Sequence, residues 1–311
     1  MNKIGLVFAG GGGKGAYQIG VWKALKEFGV DQNIKAIAGT SVGALNAVLF
    51  LQEDYEKAEA VWLNISPEKI LTIDPEKIAS KLIKDWLFKR MPDAINWLAG
   101  HGWFSRSGLL EIIRNEVNLT LLRKSKIPCF ATCYNAETKS AEYFQLNLYN
   151  SEKIESILLA SSAIPVAFDS VEIDAVNYWD GGLVDNVPVN PLYHEGCDLI
   201  IAVHLSRESV INHNDFPKAQ IIEIVPQEQQ GGFINGTLDF SPTSAKRRML
   251  QGYQDTKKIF QPIFDMMIVQ RKMQKRLAEI KQSENEFRKQ REVLVDARDQ
   301  LKQELNLYLN K

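Results

Sequence analysis

The stretch IKAIAGTSVGALNAVLFLQ, residues 34–52, decides the fold. Its first part, IKAIAGT, is a short apolar run with the character of a buried strand, and VGALNAVLFLQ reads as a helix, so Ser41 falls on the turn between them. A G-x-S-x-G nucleophile elbow requires that context: glycines at 39 and 43 let the backbone turn sharply and the helix pack closely, leaving the serine hydroxyl at the helix N-terminus. A hydroxyl there is well placed but weak, and it needs a base within reach.

Upstream, FAGGGGKGAYQ follows an apolar run, IGLVFA at 4–9, and opens a helical pattern. Gly10, Gly12 and Gly15 spell G-x-G-x-x-G, the dinucleotide-binding turn, but the second strand ends in AGTS, without the acidic residue that binds ribose hydroxyls. Lys14 is followed by Gly15, not by the Ser or Thr of a Walker loop. The run Gly10 to Gly13 can equally be a tight strand-to-helix turn. It can also be an oxyanion hole, since unobstructed amides at a helix N-terminus converge on developing negative charge. Adjacent parallel strands would bring both glycine turns to one carboxyl edge of a sheet, where ligands bind in open α/β folds.

Further strand-like segments, PCFATCY at 128–134, DLIIAVHL at 198–205 and QIIEIV at 220–225, alternate with helical patterns such as SEKIESILLASSA. The alternation predicts an α/β fold: three layers, α/β/α, around a mostly parallel sheet. With 311 residues, 45% hydrophobic and 24% charged, the chain has an ordinary globular composition. A net charge of -1 gives no sign of a nucleic-acid partner. Cys129, Cys133 and Cys197 lack metal-type spacing and read as reduced thiols. The first apolar run is too short for a signal peptide, and nothing approaches the ~18 apolar residues of a membrane span. The expectation is a soluble, cytoplasmic protein with at most peripheral contact with lipid.

Two regions depart from the alternation. Residues 54–106 hold Trp62, Trp86, Trp97 and Trp103 in a stretch with helical periodicity and no evident strand, and no glycine or proline follows Pro262. The chain thus divides into a catalytic body, residues 1–262, carrying an inserted helical cap at about 54–106, and a C-terminal helical arm, residues 263–311.

The base for Ser41 has two candidate types. Of the four histidines, His101 lies in the cap, His213 in a polar loop and His194 on a short helix, while His204 stands near the carboxyl end of a strand. In YWDGGLVDNVP, residues 178–188, Asp180 follows a strand-like segment and precedes two glycines. Tyr178 and Trp179 beside it would exclude water and raise its pKa toward the working range of a general base.

Four blocks in order now resemble the patatin-like phospholipases, lipid acyl hydrolases that use a serine-aspartate dyad. GGGGKG at 10–15 is similar to the family's oxyanion loop, with Lys14 at its basic position, and GTSVG at 39–43 to its nucleophile elbow. ASSAIP at 160–165 is similar to the alanine-serine-proline block, and DGGLVDNVP at 180–188, with Gly181 and Gly182, to the aspartate block. The resemblance covers roughly residues 4–260, DFSPTSAKRRMLQGYQDT being similar to the closing helix of bacterial members. It implies Ser41 as nucleophile, Asp180 as base, amides near Gly11 and Gly12 as oxyanion donors, and phospholipid or another acyl ester as substrate, with no metal or cofactor. His204 is then a bystander.

The resemblance says least about the cap and the arm. EKIASKLIKDWLFKRMPD, residues 76–93, sets Ile78, Leu82 and Trp86 at helical spacing among Lys77, Lys81, Lys84, Lys89 and Arg90, a pattern suited to an anionic membrane surface or to plain packing on the body. In the arm, Met266, Met273, Ile280, Phe287, Leu294, Leu301 and Tyr308 recur every seven residues, flanked by a second position that is apolar only at Leu277 and Leu305. Such a seam suits a coiled-coil homodimer, packing along the body, another protein partner, or a plain solvated helix. A nucleotide-binding module and a catalytically vestigial interaction scaffold are the competing functional readings.

Overall fold

The computed structural model describes residues 3–65, 107–165 and 168–309. The core is one mixed sheet of eight strands. Five run parallel in the order β3-β2-β1-β7-β8: β1 is Ile4–Phe8, β2 Ile34–Thr40, β3 Cys129–Asn135, β7 Leu199–Val203 and β8 Gln220–Ile224. This is a doubly wound arrangement, in which the direction of winding reverses between β1 and β7 and leaves a crevice at their carboxyl ends. The other three strands are antiparallel additions beside β3: β4, Ser140–Gln145, then β5, Val171–Ile173, and β6, Val176–Asp180.

Helices cover both faces. α1, Ala16–Glu27, and α2, Val42–Phe50, follow β1 and β2, and Phe50 meets Phe8 edge to face and Trp22 at a tilt. Strand residues of the opposite parity, among them Val7, Ala36, Ala38 and Ala202, bury against Val189 and Leu192 beside and within α7, Asn190–His194. The hydrophobic runs of the central strands reflect this burial on both sides. Between β2 and β3 lie α3, Tyr55–Asn64, α4, Ser107–Glu116, and α5, Leu119–Lys124; α6, Ser151–Ser161, leads toward β5. Of the cap expected at about 54–106, only residues 54–65 fall within the described residues, and the basic segment 76–93 lies outside them.

A single helix, α8, runs from Pro242 to Leu309 with Pro262 inside it. The chain separates into two compact units, Met1–Ile259 and Phe260–Lys311. In the second, Met266, Met273, Ile280, Phe287, Leu294 and Leu301 are all exposed. Among the described residues no helix is long and apolar enough to cross a membrane.

Candidate active site

Strand register brings Ser41 to Asp180. On β3, Thr132 pairs with Thr40, the last residue of β2, and the next residue, Cys133, pairs with Asp180, the last residue of β6. The other edge of β3 is taken by β4 along Phe130 to Asn135, so β2 and β6 share one edge and meet head-on, each ending at the same point. Ser41 and Asp180, 139 positions apart in the chain, thereby become neighbours at the carboxyl edge of the sheet.

At the elbow, Ser41 has φ 57° and ψ -128°. A non-glycine residue there carries strain, which the surrounding contacts hold in place. Its N–H donates to Ser161 Oγ at 2.9 Å, and the Ser161 hydroxyl donates in turn to the Thr132 carbonyl at 2.7 Å. A Cβ on Gly39 would lie 2.3 Å from the Gly43 backbone, and one on Gly43 would lie 2.1 Å from the Phe8 carbonyl oxygen, so both motif glycines are required for close approach.

Asp180 is buried, and its Oδ1 accepts from the Gly182 N–H at 2.7 Å. Burial pushes its pKa up to about 6, a rise that the Ser41 hydroxyl and the Gly182 N–H, both acting as donors to the carboxylate, only partly offset. Gly181 packs where a side chain would strike the Thr132 carbonyl. This carboxylate is still ionised near neutral pH, yet basic enough to take a proton.

The glycine loop lies against the same point. A Cβ on Gly10 would come 3.2 Å from Ser41 Cβ, and Gly10 is clamped by Asn186, whose Nδ2 donates to the Gly10 carbonyl at 3.2 Å while its own carbonyl accepts from Gly10 N–H at 3.2 Å. Among the described residues, no protein acceptor takes the N–H of Gly11, Gly12 or Gly13. Gly12 has φ +55°, and its Cα faces the Thr237 carbonyl; Gly13 faces the Asp239 carbonyl. Close approach of the 237–239 backbone thus accounts for glycine at positions 12 and 13. Behind the loop, Trp62 Nε1 donates to Asn46 Oδ1 at 2.9 Å, and Asn46 Nδ2 donates to Gly15 O at 3.0 Å and to Gln18 Oε1 at 2.7 Å.

Two openings meet at Ser41. One is apolar, walled by Val42, Leu45, Leu49, Val61, Trp62, Leu109, Ile112, Ile164 and Phe240. The other is mixed: Lys14, Asp180, Asn186, Ser206 and Thr237 line it with the glycine loop, beside Ile164, Pro165, Leu183 and Leu205. Burial, and secondarily Arg248, hold the Lys14 pKa below that of a free lysine.

The histidines stand elsewhere. His204 is buried with Nε2 2.9 Å from Glu223 Oε2 on β8, without a well-formed hydrogen bond, and burial lowers its pKa against the opposing pull of Glu223. His213 approaches the other oxygen of the same Glu223 at 2.7 Å, His194 closes α7, and His101 lies outside the described residues. Ser161, Asn186 and Thr237 are site residues to which sequence reasoning assigned no role. The first two sit inside the quoted blocks ASSAIP and DGGLVDNVP, whereas nothing in the local sequence marks Thr237.

The sequence profile of the patatin-like phospholipases matches residues 6–193, and the chain belongs to that family. It is 25% identical over 205 residues to an NTE family protein of Mycobacterium tuberculosis, covering 66% of this chain and 49% of that one. It is 28% identical over 203 residues to lysophospholipase NTE1 of Mycosarcoma maydis, covering 64% of this chain and 9% of that one. The chain therefore spans about half the length of the mycobacterial relative and far less of the fungal one. Among solved structures, VipD from Legionella pneumophila is similar with a TM-score of 0.48 at 16% identity, over 84% of this chain and 67% of that one.

Proposed function

We propose that this protein is a phospholipase A-type serine hydrolase that cleaves fatty-acyl esters of phospholipids or lysophospholipids through a Ser41–Asp180 dyad. The observation that carries the reading is the head-on meeting of β2 and β6, which sets Ser41 beside a buried carboxylate with a pKa of about 6 at the mouth of an apolar cleft. An acyl chain enters the apolar opening and the polar remainder of the lipid lies in the other. Ser41 Oγ attacks the ester carbonyl while Asp180 takes its proton, and the carbonyl oxygen, now negative, is met by the N–H groups of Gly11 and Gly12. Asp180 returns the proton to the departing alcohol, leaving an acyl-serine. Water then attacks that ester, again giving its proton to Asp180, and the fatty acid leaves as Ser41 is reprotonated. Family membership and the lysophospholipase name of the fungal relative support the lipid substrate class. The exposed apolar row of the arm is read as an association surface, and contact with the membrane as peripheral.

The test is release of fatty acid from mixed phospholipid vesicles by the wild type and by folded Ser41→Ala, Asp180→Asn and His204→Ala variants. The expected result is loss of activity in the first two and retention in the third. An inactive His204→Ala or an active Asp180→Asn would overturn the dyad.

A further inference from the structure

The oxyanion loop is held from behind by a residue of the closing block, residues 239–256, far along the chain from the glycines it supports. Arg248, in the second turn of α8, is 1% exposed. Its Nη1 donates to the Gly13 carbonyl at 3.0 Å and to the Asp239 carbonyl at 2.7 Å. Its Nη2 reaches the carbonyls of Gln230 and Asn235, each at 3.4 Å, and Asp239 Oδ2 at 3.2 Å. One guanidinium therefore ties four main-chain carbonyls and one carboxylate, from the glycine loop, from both limbs of the 230–239 segment and, through its own backbone, from α8.

That segment forms the outer support of the loop. Gly12 and Gly13 fit only because they lack a Cβ against Thr237 O and Asp239 O, and Gly236 packs on Lys14 Cε. A glycine run has little conformational preference of its own, so amides that must converge on an oxyanion need an external constraint. Arg is suited to this role, since its planar fork bonds several acceptors at once and stays charged. Burying that charge is costly unless it is paired, and among the described residues Asp239 is the one anion bound to it. The remaining partners are carbonyls whose orientation the charge enforces.

We propose that Arg248 is a positioning residue for catalysis: by fixing the Gly13 carbonyl and the 230–239 segment, it holds the Gly11 and Gly12 N–H groups in the geometry that receives the transition-state oxyanion. This rests on Ser41 being the nucleophile. A role confined to stability would alter melting temperature and leave the turnover of folded protein unchanged. A positioning role lowers kcat with little change in KM, because the oxyanion exists only after attack.

The experiment compares wild type, Arg248→Met, Arg248→Lys and Asp239→Asn, each checked for native circular dichroism. It measures kcat and KM on a short-chain p-nitrophenyl ester and the rate at which a fluorophosphonate labels Ser41. The expected result is a loss of about tenfold or more in kcat and labelling rate for folded Arg248→Met, with KM within about twofold. Arg248→Lys, which keeps charge without the fork, falls between, as does Asp239→Asn, which removes the carboxylate partner but leaves the guanidinium bonded to the carbonyls. In Arg248→Ala, guanidinium ion below denaturing concentration restores part of the labelling rate. If Arg248→Met does not fold, Arg248→Lys decides. Wild-type kcat and labelling rate in a folded Arg248→Met or Arg248→Lys variant would overturn the inference alone, whereas failure of the wild type to be labelled at Ser41 would overturn the nucleophile assignment and this inference with it.

Discussion

Asp180 trades stability for basicity. Its pKa of about 6 in the folded protein exceeds that of a free carboxyl, so between about pH 4 and 6 the folded state binds more protons than the unfolded chain and stability falls as pH rises. Above that window the penalty is complete, on the order of 1–3 kcal/mol. Asp180→Asn removes the charge and keeps an acceptor for the Gly182 N–H. The variant is expected to melt at a higher temperature than wild type at neutral pH, with the difference shrinking toward about pH 4, and to be inactive. A melting temperature below that of wild type at neutral pH would show that Asp180 is held by favourable contacts outweighing its desolvation. With Asp180 as the proposed base, kcat/KM is expected to fall about tenfold per pH unit below about 6, and a profile flat to pH 5 would exclude it from that role.

At the scale of elements, the elbow is a packing device before it is a chemical one. α2 leaves β2 so tightly that Gly43 touches the Phe8 carbonyl of β1. Gly43→Ala must push the helix off the sheet and should cost about 3 kcal/mol or more in urea unfolding, a change under about 1 kcal/mol showing that the contact yields. The elements that build the site differed in legibility. β1, β2, β3 and β7 are largely buried and announce themselves as apolar runs, and β8, half-buried at the end of the sheet, still carries the apolar residues of QIIEI. β4, with the sequence SAEYFQ, is half-exposed and charged, and β5 has only three residues, so neither carries a hydrophobic period strong enough to read. The sheet expected to be mostly parallel is consequently mixed on the β3 side, and that antiparallel side delivers Asp180. Ser41, Asp180 and the glycines were legible because tight turns restrict residue choice. Arg248 and Thr237 were not, because their roles come from contacts across more than 190 residues of chain.

For the whole molecule, the arm poses a problem that the body does not. Six of its seven-residue repeats place an exposed apolar side chain on one row, from Met266 to Leu301, and an apolar row of that length calls for a covering surface. If the cover is a second copy, the flanking row fixes its direction. A parallel, in-register pair would set Glu284, Arg291 and Arg298 against their own duplicates in the seam, where like charges repel. An antiparallel pair instead lays each of these side chains along an apolar residue of the partner helix, with the charged heads reaching solvent, and brings Leu277 opposite Leu294. The expected outcome is that the full chain associates reversibly in light scattering across a dilution series, while a chain ending at Gln261 is monomeric and is still labelled at Ser41. This shorter chain retains the contacts of Tyr253 with Glu27 and of Asp255 with Tyr17. Oxidation should cross-link the Leu277→Cys, Leu294→Cys double variant and leave Leu277→Cys alone largely uncross-linked. Efficient cross-linking of the single variant would establish the parallel pair despite its charges, and a full chain monomeric at every concentration would assign the row to a different protein or to lipid.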